Sequence, residues 1–207
     1  MTYQPPHAVI FDDEDYDLRG DSTGLLPLFD LLGIKPNSVT FTGNYLAEYV
    51  VANNVLKLDS IHIAYDLKEQ KIADMLKVNG IAPIKTWMGL GYRNISLLMP
   101  VTGQITIARK PLVGDVELIF SLTDYEKVLR LSLDDGKVTK IEDFSERIEV
   151  LRRKEDEIED EKKKRWLKRG INPNAVTHDQ YYYSDMQSIW DEIEEIIGKE
   201  STTFSQK

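Results

Sequence analysis

The feature that most constrains this chain is a short apolar segment that runs directly into a dense group of acids. Residues 8–11 are all apolar, and six carboxylates occupy the next ten positions: Asp12, Asp13, Glu14, Asp15, Asp17 and Asp21. Four apolar residues suit a buried strand, whereas clustered carboxylates cannot be buried without partners or a cation. The sequence therefore predicts a core strand that ends at a strongly negative edge, and this edge is the first candidate functional surface.

Composition points to a soluble globular protein. The chain has 207 residues, of which 42% are hydrophobic and 29% charged, and it contains no cysteine. No apolar run approaches the roughly 20 residues that a membrane-spanning helix needs. The first residues lack the basic and apolar regions of a signal peptide, and the absence of cysteine fits a reducing compartment. We therefore expect a cytoplasmic protein that has no membrane partner.

The net charge limits the classes of molecule that the protein is expected to bind. The net charge is −9, whereas a protein that binds nucleic acid needs an excess of lysine and arginine on its phosphate-facing side. The composition therefore argues against nucleic acid. An acidic surface suits the binding of cations or of a basic protein partner.

The first half of the chain alternates between strand-like and helix-like patterns. Strands are predicted at residues 7–11, 38–42 and 60–65. Helices are predicted within residues 22–33 and after Asn44, where Leu46, Tyr49, Val50 and Val55 recur at helical spacing. Strands that are separated by helices pair in parallel through right-handed crossovers. The predicted fold is therefore α/β, with a Rossmann-like, mainly parallel sheet over residues 7–92.

The second half of the chain changes its pattern twice. Residues 95–142 contain short strand candidates without helices between them, and Asp135-Gly136 is a strong hairpin signal, so an antiparallel extension is expected. Residues 143–198 are predicted to form a helical hairpin, with one long helix over 143–169 and a second over 184–197. The second helix is expected to bury Trp190 and Ile193, whereas much of the stretch from Glu155 to Lys164 in the first is expected to be solvated or to contact a partner. The predicted organisation is an α/β domain at 1–142, the hairpin, and a mobile tail at 199–207.

The ends of the predicted strands carry the residues that could bind a ligand. Because ligands sit at the carboxyl ends of the strands in open parallel sheets, we expect these residues to converge. Carboxylates beside a turn with free N–H groups could hold Mg²⁺ and a phosphate. The alternative is that these side chains only serve ordinary turns. The candidate ligand-binding residues are Asp12, Asp13, Thr42, Gly43, Asn44 and Asp66.

The order of these strand ends resembles that of the haloacid dehalogenase-like phosphohydrolases over residues 7–85. Residues 9–12 are similar to the strand that carries the nucleophile of that family, residues 39–44 to its phosphate-binding motif, and residues 61–66 to its acidic Mg²⁺ motif. The resemblance implies Asp12 as nucleophile, Glu14 as the second acid, Thr42 as phosphate ligand and Asp66 as metal ligand. It also implies Mg²⁺ as the cofactor.

Two functions follow as hypotheses. The leading one is an acidic, non-enzymatic protein-interaction module, such as an inhibitor, an immunity protein or an assembly factor, which requires no cofactor. It follows from the negative charge, from the absence of a complete catalytic set, and from a long helix whose apolar stripe is thin. The alternative is a Mg²⁺-dependent phosphohydrolase of the haloacid dehalogenase-like type.

Overall fold

The computed structural model describes residues 7–19, 45–64, 84–86, 89–112, 121–172 and 182–197. The strands in these ranges are β1 (Ala8–Phe11), β2 (Glu14–Arg19), β3 (Tyr45–Ala52), β4 (Val55–Ala64), β5 (Ile84–Thr86), β6 (Gly89–Tyr92), β7 (Leu97–Leu98), β8 (Gly103–Pro111), β9 (Tyr125–Asp134) and β10 (Lys137–Asp143). Two long helices follow, α1 (Ser145–Lys168) and α2 (Tyr182–Ile197), and a short 3-10 turn (Leu122–Asp124) precedes β9.

Seven of the strands close into a barrel. Its order is β1, β2, β8, β9, β10, β4 and β3, and β3 returns to β1. The closing contact joins the start of β10 to β4, where the Leu56 N–H donates to the Gly136 carbonyl and the Val138 N–H donates to the Asn54 carbonyl, both at 2.8 Å. Among the described strands only β1 and β3 pair in parallel. The predicted Rossmann-like, mainly parallel sheet is therefore wrong.

The difference between the predicted and the observed fold begins in the segment after Asn44. Residues 45–52 form strand β3 instead of the predicted helix, and they return through a turn in which Asn53 and Asn54 have φ values of 53° and 61°. Two central residues with positive φ make the tight turn that suits a twisted hairpin, and asparagine tolerates this conformation. Tyr49 and its valine neighbours also favour a pleated strand. The helical spacing of the apolar residues was therefore coincidental.

Strand β1 leads into a hairpin rather than into a crossover helix. Phe11 pairs with Glu14, so β2 runs back antiparallel to β1 after a turn formed by Asp12 and Asp13. The helix predicted within residues 22–33 and the strand predicted at 38–42 lie outside the described residues. A second hairpin joins β9 to β10 through Asp135 and Gly136, with φ values of 47° and 80°, as the sequence predicts.

The described residues contain two apolar clusters. The larger one fills the barrel and includes the fully buried Val9, Tyr49, Leu58, Ile105 and Leu131. Alternate residues of β8 and β9 point the other way, so Ala108 and Val128 join a second cluster that the helices cover. The barrel thus provides a rigid platform on which one side of each helix is buried.

The helices run in opposite directions against this platform. Arg147, in the first turn of α1, lies 2.9 Å from Glu195 near the end of α2, and Lys154 lies 3.3 Å from Glu192. The described parts of the predicted hairpin therefore pack as an antiparallel pair. The predicted tail at 199–207 lies outside the described residues. No helix in the described ranges is long and apolar enough to cross a membrane.

Candidate functional site

The acidic turn that the sequence singles out lies at one end of the barrel. Asp12 and Asp13 are exposed and have φ values of 51° and 59°. Glu14 follows at the start of β2 and lies 2.7 Å from the Arg109 guanidinium, which also stacks 5.5 Å above the Tyr16 ring. Turn geometry and one ion pair thus account for these acids.

The other predicted ligand-binding residues lie outside the described part of the chain; they are Thr42, Gly43, Asn44 and Asp66. Their described neighbours are Tyr45 and Ala64. Tyr45 pairs with Ile63 where β3 begins and β4 ends, whereas Ile10 pairs with Val50 near the end of β3. At about 3.3 Å per residue, Tyr45 is therefore roughly 17 Å along the strand from the level of Ile10.

The described residues show no ready metal centre. No group of three or more histidine, aspartate or glutamate side chains among them is arranged to hold a metal ion. Asp12 stands at the carboxyl end of β1, and the parallel neighbour β3 ends at the same level in the exposed Asn53-Asn54 turn. Of the four residues that the phosphohydrolase hypothesis uses, Asp12 and Glu14 are the two in the described ranges, and neither belongs to a metal-binding group there.

A different surface stands out on α1. We define the outer face of α1 as nine exposed residues on the side away from the barrel: Val150, Arg153, Asp156, Glu157, Asp160, Glu161, Lys164, Leu167 and Lys168. With 3.6 residues per turn, these positions lie opposite the buried Ile148, Leu151 and Lys162. The outward side of the helix therefore carries a block of acids at 156–161 and bases at 164 and 168, with Arg153 before them.

The inner side of α1 is firmly anchored. Ile148 and Leu151 are fully buried in the second apolar cluster. The Arg152 guanidinium donates two hydrogen bonds of 2.6 Å, to the Thr123 and Tyr125 carbonyls. These contacts fix the rotation of the helix about its axis, and they fix which residues face outward.

Anchoring continues toward the second half of the helix. Burial raises the pKa of Glu155, and the nearby carboxylates act in the same direction. Lys162 is only 8% exposed, and its ammonium lies 5.6 Å from the centre of the Trp166 ring. The partial burial of Glu155 and the burial of Lys162 show that the inner side of α1 stays covered well past its last fully buried apolar residue, Leu151.

The outer face carries charges that are not neutralised locally. No ion pair joins Asp156, Glu157, Asp160 or Glu161 to another residue in the described ranges, although Asp160 and Lys164 are four positions apart. Asp156 and Asp160 are like charges at the same spacing, as are Glu157 and Glu161. Each such pair destabilises a helix by about 0.2–0.5 kcal/mol.

The end of α1 combines positive charge with exposed apolar surface. Gly170 has a φ of 70° and ends the helix, with the Gly170 N–H donating to the Leu167 carbonyl and the Ile171 N–H donating to the Trp166 carbonyl. Leu167 is 63% exposed, the highest value among the large apolar residues that the structure describes. The helix therefore ends in an exposed apolar side chain between the exposed bases Lys164 and Lys168.

The sequence did not reveal which residues orient this surface. Arg152 looked like one charge among many, and Arg130 looked like an ordinary strand residue. In the structure Arg130 pairs with Glu142 at 3.1 Å, donates to the Glu195 and Ile196 carbonyls at the end of α2, and stacks on Phe144. A basic residue inside an otherwise alternating strand was the only available signal.

No family model, curated protein or solved structure matches this chain.

Proposed function

We propose that this chain is a non-enzymatic, cytoplasmic protein-interaction module, such as an inhibitor, an immunity protein or an assembly factor, that binds a protein partner through the outer face of α1. The observation that carries the proposal is the contrast between the two sides of this helix. The inner side is buried and anchored by hydrogen bonds, whereas the outer face presents four carboxylates without an ion-pair partner in the described ranges, and Leu167, to solvent.

The rigidity of the helix supports a binding role. Because the barrel and the Arg152 hydrogen bonds already hold α1 in place, a partner would not have to order it. Binding surfaces that are ordered in advance lose less conformational entropy on association. The outer face is therefore suited to recognition in a way that a fraying, solvated helix is not.

The cost of the charge pattern points in the same direction. The like-charge pairs on the outer face destabilise the helix, and in the described ranges no ion pair involves Asp156, Glu157, Asp160 or Glu161. A basic surface on a partner would relieve this repulsion and would accelerate association through long-range attraction. The acidic half of the outer face therefore indicates a partner with a basic contact region.

The alternative, a Mg²⁺-dependent phosphohydrolase that uses Asp12, Glu14, Thr42 and Asp66, remains a prediction. No observation on the described residues favours it, since Asp12 sits in an exposed hairpin turn and Glu14 is paired with Arg109. The interaction module is therefore the function that we propose.

The test is a paired charge reversal. Tagged wild-type protein, the double variant Glu157→Lys/Asp160→Lys and the control Asp134→Lys/Glu194→Lys are used to capture partners from the source cells, and binding of the purified partner is then titrated. Both variants change the net charge equally, and all four positions are exposed. We expect the first variant to lose binding by at least about tenfold and the control to retain it. Equal binding by all three proteins would refute the proposal.

A further inference from the structure

The charge pattern on the outer face of α1 is complementary to the same pattern read in the opposite direction. From position 156 onward its acids come first, at positions 156, 157, 160 and 161, and its bases follow at 164 and 168, with Arg169 beyond them. All of these side chains are exposed, and none of them makes an ion pair with another described residue. The charge therefore changes sign along this stretch of one helix face.

An antiparallel copy of the same helix would satisfy this pattern. A two-fold axis near position 162 places Asp156 opposite Lys168 of the second copy and Asp160 opposite Lys164, because the members of each pair are equally distant from the axis. Every contact then occurs twice, as in any two-fold dimer. A parallel arrangement would instead place acids against acids, so only the antiparallel orientation is favourable.

We infer that the partner of the outer face includes a second copy of this chain, which docks antiparallel along α1. This inference rests on the proposed function, because it names one occupant of the same surface. Charge complementarity selects the occupant, and the exposed side chain of Leu167 contributes an apolar contact beside the charged side chains. Since the contact is mainly polar and each copy is acidic overall, the dimer is weak and is dissociated by salt.

A charge-swap experiment tests the inference. One variant, Asp156→Lys/Asp160→Lys, makes the outer face largely basic, and the other, Lys164→Glu/Lys168→Glu, makes it acidic. Sedimentation velocity is measured for each protein alone and for the equimolar mixture, over about 5–500 µM, which brackets weak association. We expect the wild type to dimerise, each variant alone to associate at least tenfold more weakly, and the mixture to form a heterodimer.

Three results would overturn the inference: a wild type that stays monomeric throughout, variants that dimerise as the wild type does, or a mixture that stays monomeric. The helical circular dichroism signal confirms that each variant is folded. A second measurement does not depend on charge reversal. The chain has no cysteine, so Lys164→Cys can be treated with a short bismaleimide and should form covalent dimers, whereas Asp134→Cys should not.

The two proposals fail in distinguishable ways. If the wild type is monomeric but Glu157→Lys/Asp160→Lys still abolishes binding to another protein, the interaction module stands and the self-association falls. If the charge swap behaves as expected and no other protein binds, the outer face serves association of identical copies alone.

Discussion

Substituting Gly136 tests whether the barrel closes where the structure places it. Gly136 lies in the turn between β9 and β10, has a φ of 80°, and bridges two segments: its N–H donates to the Val101 carbonyl and its carbonyl accepts from the Leu56 N–H, both at 2.8 Å. A Cβ atom at this position would lie 2.3 Å from the Met99 carbonyl oxygen. Gly136→Ala therefore forces the closing strands apart.

The expected loss of stability in Gly136→Ala has two parts. A left-handed backbone costs an alanine about 1–2 kcal/mol, and forcing an atom into packed surroundings costs about 1–3 kcal/mol more. Gly170 provides the matched control, because its φ is 70° but nothing lies within 4 Å of its Cβ position. Gly170→Ala should therefore show only the first part. We expect Gly136→Ala to lose about 2–5 kcal/mol in total, with the excess over Gly170→Ala reporting the clash.

Urea unfolding followed by circular dichroism measures both variants. A lower midpoint at an unchanged slope shows a loss of stability without a change in the surface exposed on unfolding. If Gly136→Ala costs no more than Gly170→Ala, the carbonyl of Met99 is not where the structure places it, and the closing contact between β10 and β4 is wrong.

Three further predictions concern a buried histidine, a strand arginine and the acidic turn. Burial lowers the pKa of His7, whose Nδ1 accepts a 3.1 Å hydrogen bond from the Ala47 N–H, so the unfolded state binds the proton more readily. The contribution of His7 to stability is therefore present above about pH 6.5 and is lost as the pH falls below it. His7→Asn should make the urea midpoint less dependent on pH between about pH 7 and 5. A pH dependence equal to that of the wild type would contradict this. Arg130→Met should reduce the free energy of unfolding by much more than Lys163→Met does, because the exposed ion pair that Lys163 makes with Glu159 is worth under about 0.5 kcal/mol. Equal losses would show that Arg130 does not anchor the end of α2. Millimolar Mg²⁺ should leave the melting temperature unchanged, and a rise that Asp12→Asn abolishes would favour the phosphohydrolase.

Local features of the second half of the chain were predictable. The Asp135-Gly136 turn was visible because few residues tolerate the backbone that a two-residue hairpin needs. Ile193 was correctly expected to be buried in α2, but Trp190 is only partly buried, and the fully buried Ile196 was missed. The apolar stripe of a helix thus indicates that it packs, whereas the residues at its margins depend on the shape of the platform.

The closure of the barrel could not be predicted. It depends on one residue pair, Lys137 with Val55, whose members are far apart in the sequence. The Asn53-Asn54 turn was the available clue to the β3–β4 hairpin, but the apolar spacing before it matched a helix equally well. A helix in place of β3 implies a parallel sheet with crossovers, because strands separated by helices pair in that way.

The candidate surface was partly predictable. The sequence indicated that much of the stretch from Glu155 to Lys164 is exposed, because the apolar stripe of the long helix is thin. It could not show that Lys162 is buried or that Arg152 anchors the helix to the carbonyls of a neighbouring turn. Long polar side chains adopt either role, and only the position of the barrel decides between them.

The most direct test of the account is site-specific photo-crosslinking in the source cells. A photoreactive amino acid replaces Glu157 on the outer face of α1 in one protein and Glu194 on the exposed side of α2 in another. We predict a discrete crosslinked protein, whether a second copy or another chain, from position 157 and none from position 194. No adduct from position 157, or the same adducts from both positions, would contradict the claim that the outer face of α1 is the binding surface.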